Sequence, residues 1–138
     1  MFLYGGQNDE NLFNDLWMYK NSEFIWKKTD INKKFSDLRK GHSASFYHNK
    51  TEEVSEIYMN VNEIINKYNL IVFGGSNGTN YLNDLLFIDI THNALEDKMS
   101  FDLRHPTVTG DIPEPREVSN YKILLTLKNL GPPNFYKG

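Results

Sequence analysis

A duplicated glycine pair constrains this chain more than any other feature of its sequence. Leu3-Tyr4-Gly5-Gly6 recurs as Val72-Phe73-Gly74-Gly75, and nine residues beyond each first glycine stands an Asn-Asp pair, Asn14-Asp15 and Asn83-Asp84. Each pair leads into an apolar run, Leu16-Trp17-Met18-Tyr19 and Leu85-Leu86-Phe87-Ile88. Both landmarks keep one 69-residue offset. Self-similarity at a fixed spacing marks an architecture built from copies of one supersecondary unit. A third landmark supports the register. Asp37-Leu38-Arg39-Lys40-Gly41-His42-Ser43-Ala44 precedes the second double glycine, and Pro113-Glu114-Pro115-Arg116 stands where a further copy begins.

The apolar runs are short, aromatic or β-branched, and bounded by Gly, Asn, Asp or Pro, which reads as strands. Strands are expected near 1–5, 15–19, 24–28, 42–48, 69–74, 84–89 and 99–103, with another at 121–127. One full copy then reads as a four-stranded antiparallel meander, and the fold class as all-β. An aromatic content of 14% suits strands.

These residues resemble the kelch repeat family. Arg39, Gly41-His42-Ser43, Val72-Phe73-Gly74-Gly75, Asn83-Asp84 and the Trp26-Lys27 strand carry the likeness, and Thr109 to Arg116 is similar to a kelch connection between blades. Phe101 stands where the second copy would carry Trp, and Arg116 is followed by Glu117-Val118-Ser119 rather than Gly-His-Ser. The resemblance implies a kelch-type β-propeller in which each repeat forms one four-stranded antiparallel blade. Residues 1–37 would supply the last three strands of one blade, 38–105 a full repeat, and 106–138 a linker and the start of a degenerate third. A propeller needs at least four blades of ~40–50 residues each, so the chain is expected to be an incomplete propeller whose remaining blades come from elsewhere in a parent chain.

The blade scheme assigns structural roles. Gly5, Gly6, Gly74 and Gly75 would end strands where the backbone bends and packs closely, a conformation with φ > 0 that glycine adopts without strain. Asp15 and Asp84, behind Asn14 and Asn83, would cap turn amides. Trp26 and Phe101 would fill the space between blades. Arg39, Gly41, His42 and Arg116 complete the motif.

Between the first two strands of the full repeat lies an insertion, 49–68. Its apolar residues Val54, Ile57, Tyr58, Val61, Ile64, Ile65 and Tyr68 step by three and four, which predicts a short amphipathic helix over 51–67. Thr51 would cap it, with Glu52 and Glu53 in the first turn.

No catalytic constellation is expected. His42 and Ser43 are adjacent strand residues and so face opposite sides. His48, His92 and His105 lack metal-ligand spacing, so no metal and no cofactor are implied. Gly74-Gly75-Ser76-Asn77-Gly78 leads into a strand, whereas a phosphate cradle needs a helix N-terminus. The net charge of −3 provides no field for nucleic acid. No apolar stretch reaches the ~18 residues of a membrane span. Zero cysteines suit a reducing compartment, so an intracellular, cytoplasmic setting is expected.

The expected function is that of a protein-protein interaction module, because a rigid rim of loops suits recognition. In an up-down meander the loops 7–13, 29–37, 76–82 and 104–115 share one end, which the kelch resemblance marks as the partner-binding surface. Asn8, Asp9, Glu10, Asn11, Asn77, Asn80, Tyr81, Arg104 and His105 are its candidate contacts. The alternative is a regulatory or targeting part of an enzyme, such as a kelch-containing Ser/Thr phosphatase, or of a ubiquitin-ligase adaptor.

Overall fold

Alternation along the strands decides which residues meet. In the computed structural model, which describes residues 1–31, 37–49 and 65–117, seven strands form two antiparallel sheets. Strands β1 (Phe2–Gln7), β2 (Leu12–Lys20) and β3 (Ile25–Lys28) make the first, in the order β1-β2-β3. Strands β4 (Ser43–Asn49), β5 (Ile65–Phe73), β6 (Leu85–Asn93) and β7 (Lys98–Arg104) make the second, again in chain order. Every pairing is antiparallel. The chain is all-β among its described residues.

In the second sheet Val72 lies opposite Leu86, Leu70 opposite Ile88, and Ile88 opposite Leu103. These residues share one face because side chains alternate along a strand, and all are buried. The first sheet covers that face. Phe2 stacks on Phe46 with ring centroids 5.8 Å apart and meets Phe101 edge-on at 6.4 Å. Tyr4 meets His42 edge-on at 5.7 Å. Ile31, just beyond β3, is buried and bridges to Phe101.

A backbone clip joins the sheets. The Gly6 amide donates to the Arg39 carbonyl at 2.8 Å, and the Arg39 amide donates to the Phe13 carbonyl at 3.2 Å. Lys40 and Ser76 then exchange amide-carbonyl bonds at 3.0 and 2.9 Å, fastening the same segment to the second sheet. The outer half of this arrangement occurs twice. Gly75 donates to the Arg116 carbonyl at 2.9 Å, and Arg116 donates to the Leu82 carbonyl at 3.0 Å. A side chain at Gly5 or Gly74 would put its Cβ 2.8 Å from the carbonyl oxygen of Arg39 or Arg116 respectively. Close approach, together with φ of +59° and +65°, makes glycine the fitting residue at both positions.

Two expectations are corrected. The helix over 51–67 cannot reach its C-terminal end, because Ile65, Asn66 and Lys67 lie in β5, opposite Asn93, His92 and Thr91. Those residues follow the period of two that Tyr68, Leu70 and Val72 continue, and the long β6 lies opposite all three. The insertion therefore shrinks from 49–68 to 50–64, since Asn49 pairs with Lys67. Positions 51–64 of the expected helix lie outside the described residues, as does the expected strand at 121–127. The second correction concerns Asp15 and Asp84, whose carboxylates engage side chains across the strands. Asp15 accepts from Trp17 Nε1 at 2.8 Å and pairs with Lys28 at 3.2 Å. Asp84 takes Arg39.

Candidate functional site

The antiparallel order sends the β1–β2 loop, the segment after β3, the β5–β6 loop and the segment after β7 to one end of the sheets. The side-chain geometry there is dominated by Arg39, which is 1% exposed. Its Nη1 donates to the Gly74 carbonyl at 3.0 Å and to Asp84 Oδ1 at 3.1 Å. Its Nη2 donates to Asp84 Oδ2 at 2.8 Å and to Asp37 Oδ1 at 3.4 Å. Burial alone would lower the Arg39 pKa, but the hydrogen bonds and charge of Asp84, joined by Asp37, raise it above its ordinary value. The guanidinium is a fixed cation that ties the connection between the sheets to the start of β6.

His105 extends this network. One ring nitrogen lies 3.0 Å from Asp37 Oδ2, and the other lies 3.2 Å from the Leu85 carbonyl and 3.4 Å from Asp84 Oδ2. Asp37, Asp84 and His105 thus bring three ligand-type atoms within 4.8 Å of one another. They are the described residues best placed to hold a metal. A cation already sits on both carboxylates, however, in the form of Arg39, and a divalent ion there would face its charge at contact range. The arrangement is that of an ion-paired structural joint.

Behind the joint, the half-buried His42 packs against the buried Tyr4. Burial, with the Arg39 charge behind it, pulls the His42 imidazole below its ordinary value against a hydrogen bond to the Tyr4 backbone. Burial, then the Asp37 charge, pushes the Tyr4 phenol well above its usual range, and its hydroxyl donates to the Asp37 carbonyl at 3.1 Å.

In front of it, the two loops repeat one design. Asn8 Oδ1 accepts from the amides of Glu10 and Asn11 at 3.1 and 2.7 Å. Asn77 Oδ1 accepts from Thr79 and Asn80 at 3.0 and 2.8 Å. Both are Asx turns, in which a short side chain takes the place of a backbone acceptor. The loops touch, since a Cβ on Gly78 would fall 2.9 Å from Leu12 Cδ1. Asn8 and Asn77 are thus engaged in holding loop shape, while Asp9, Glu10, Asn11, Asn80 and Tyr81 are exposed around them, Tyr81 at 62%. An open depression of about 250 Å³ lies at the start of β6, with Leu85, Pro106, Val108 and Ile112 as its apolar wall and Asn83, Asp84 and His105 as its polar edge.

Arg104 does not belong with the loop contacts. It is the last residue of β7, paired with Asp89 on β6 and stacked over Phe87 with its guanidinium carbon 4.5 Å from the ring centroid. Trp26 is 44% exposed on β3 and tilts against Tyr19 at 5.1 Å. Of the two rings expected to fill the space between blades, Phe101 lies between the sheets against Phe2, whereas Trp26 shares the first sheet's far face with Tyr19 and Trp17. Reading the sequence missed the Arg39–Asp84 bond. The signal was present in the charged residues at two fixed motif positions, but the contact spans two sheets.

Comparison with protein-family models found no match, and comparison with the curated proteins found none. No helix among the described residues is long and apolar enough to cross a membrane.

Proposed function

We propose that the chain is a segment of a kelch-type β-propeller acting as a protein-interaction module, with the paired β1–β2 and β5–β6 loops as its contact surface. The observation that carries this reading is the twin Asx-turn loops, set side by side and anchored from behind by Arg39. A rigid scaffold presenting short, variable, polar loops is the usual setting for recognition. Tyr81, exposed at the base of the β5–β6 loop where it bridges to Ser76, and the apolar depression at the start of β6 supply the aromatic and hydrophobic contacts that dominate interface energetics. Two meanders joined by a repeated clip at each double glycine favour blades of one design. The Asp37 and Asp84 carboxylates of the loop cluster are already engaged by the Arg39 cation.

The test is site-specific photo-crosslinking in the cell of origin. A benzoyl-phenylalanine at position 81 is expected to give a discrete protein adduct, and the same probe at Leu95, exposed on the turn at the opposite end, none. Equal labelling from both positions, or none from position 81, would refute the loop surface.

A further inference from the structure

We propose that this chain associates head to tail with further copies of itself, the Arg116 guanidinium of one copy entering a receptor formed by the Gly5 carbonyl and the Asp15 carboxylate of the next. The inference rests on the duplicated clip and not on the functional reading above.

Within one chain the joint has two halves. On one side, Arg39 is held by its backbone against Gly6 and Phe13 of the first sheet. On the other, its side chain enters a receptor on the second sheet formed by the Gly74 carbonyl and the Asp84 carboxylate. Arg116 repeats the first half, bound by its backbone to Gly75 and Leu82. Among the described residues it makes no counterpart of the second. Its residue is exposed, and its Nε donates to the nearby Glu114 carbonyl at 3.0 Å. The receptor such an arginine needs exists elsewhere on the molecule. Gly5 and Asp15 occupy the repeat positions of Gly74 and Asp84, on the first sheet. Among the described residues the side-chain contacts of Asp15, from Trp17 and from Lys28, both fall on Oδ2. Oδ1 takes no side-chain partner there, which leaves it open to a guanidinium.

The apolar faces follow the same logic. Phe2 and Tyr4 face the second sheet, and their repeat equivalents Ile71 and Phe73 lie on the face of that sheet turned away from the first. Val72 and Leu86, both fully buried against the first sheet, correspond to Leu3 and Trp17. Those two lie on the first sheet's far face, Leu3 at 53% exposure and Trp17 half-buried. Each far face is therefore the repeat counterpart of the face that already packs inside the chain. The surface with Ile71 and Phe73 matches the one with Leu3 and Trp17, as the Phe2 face matches the Val72 face. Two different patches meeting in this way make a heterologous contact, which propagates until it closes a ring or runs on as a filament.

The experiment is sedimentation velocity on the full chain and on two single variants, R116E and D15K, with circular dichroism to confirm retained strand content. The wild type is expected to form species larger than a monomer at concentrations on the order of 100 μM, within the range of weak specific association. Each variant alone is expected to associate at least about thirtyfold more weakly, the scale of losing one partner of a buried charge pair. Mixing them is decisive. The R116E copy keeps an intact receptor and the D15K copy an intact arginine, and at the other junction the two substituted positions carry opposite charges, so a 1:1 mixture recovers association that neither variant shows alone. D15N, which can still accept from Trp17, separates a folding defect from loss of the receptor charge: it is expected to fold and to associate weakly. A monomeric wild type, folded variants that associate as it does, or a mixture that associates no better than either variant alone would overturn the proposal.

Discussion

Arg39 and Asp84, 45 residues apart, form a two-pronged ion pair in which Nη1 reaches Oδ1 at 3.1 Å and Nη2 reaches Oδ2 at 2.8 Å. Arg39 is almost completely buried, whereas the Asp84 side chain is 35% exposed. Removing the aspartate strands a buried cation that retains only the Gly74 carbonyl and the more distant Asp37. Removing the arginine leaves a carboxylate that water can reach. Asp84→Ala is therefore expected to destabilise the fold by about 3–5 kcal/mol, the scale of an uncompensated buried charge. Arg39→Met should cost less, by about 1–2 kcal/mol, because its stem still fills the site and the remaining charge is solvated. Urea unfolding of the two variants checks the order. Equal losses would mean that packing, not charge, sets the cost.

Gly6 and Gly75 separate backbone strain from collision. Their φ values are close, +102° and +92°, yet a Cβ on Gly6 would meet nothing within 4 Å while one on Gly75 would fall 2.5 Å from the Lys40 carbonyl. Gly6→Ala is expected to cost about 1–2 kcal/mol from conformation alone. Gly75→Ala is expected to cost at least about 2 kcal/mol more, since the Lys40–Ser76 exchange must open to relieve the clash. Equilibrium denaturation of both variants measures the difference. A common value would show that the clip between the sheets yields freely.

Acid sensitivity follows from His42. The unfolded chain takes up its proton near pH 6.5, and the folded chain only at lower pH, because burial and the Arg39 charge oppose the imidazolium. Between those values the unfolded state binds more protons, so stability rises with pH there. The His42 contribution is fully present above about pH 6.5 and is lost as pH falls toward the folded value. Nδ1 is buried without a hydrogen-bond partner among the described residues, so the added proton would also go unpartnered. Urea midpoints between pH 7.5 and 5 are expected to fall more steeply for the wild type than for His42→Gln. Parallel profiles would place the acid sensitivity elsewhere.

The sequence made the strands legible because glycine, asparagine and aspartate punctuate them twice at one offset. Each of the seven expected within the described residues is present, while their ends were misjudged. β5 begins at Ile65 rather than near 69, because Ile64, Ile65 and Tyr68 satisfy a helical spacing as readily as the start of a strand, and only the pairing with β6 decides. The Asp84 motif position was visible, but its partner was not. Arg39 reaches it only after two sheets pack, a relation between faces that spacing along the chain does not encode. The Asx turns were closer to hand, since Asn8 and Asn77 each stand three residues before another asparagine and keep the 69-residue offset.

Those twin turns allow the duplication to be weighed. Asn8 and Asn77 each take two amides on one side-chain oxygen, with the same spacing to the receiving residues. An alanine at either position removes the acceptor but exposes its donors to water, so each loss is expected at about 1 kcal/mol, the scale of a cap or turn substitution. The loops are in contact through Gly78 and Leu12, however, and substitutions at touching sites are not obliged to add. If each loop holds its own shape, Asn8→Ala and Asn77→Ala lower the unfolding free energy by similar amounts, and the double variant by their sum within about 0.5 kcal/mol. If the loops support one another, the second substitution costs more in the presence of the first. A double-mutant cycle by urea denaturation reads this coupling directly. An additive result makes the two loops independent platforms that a partner can engage separately, whereas a coupled one makes them a single recognition surface.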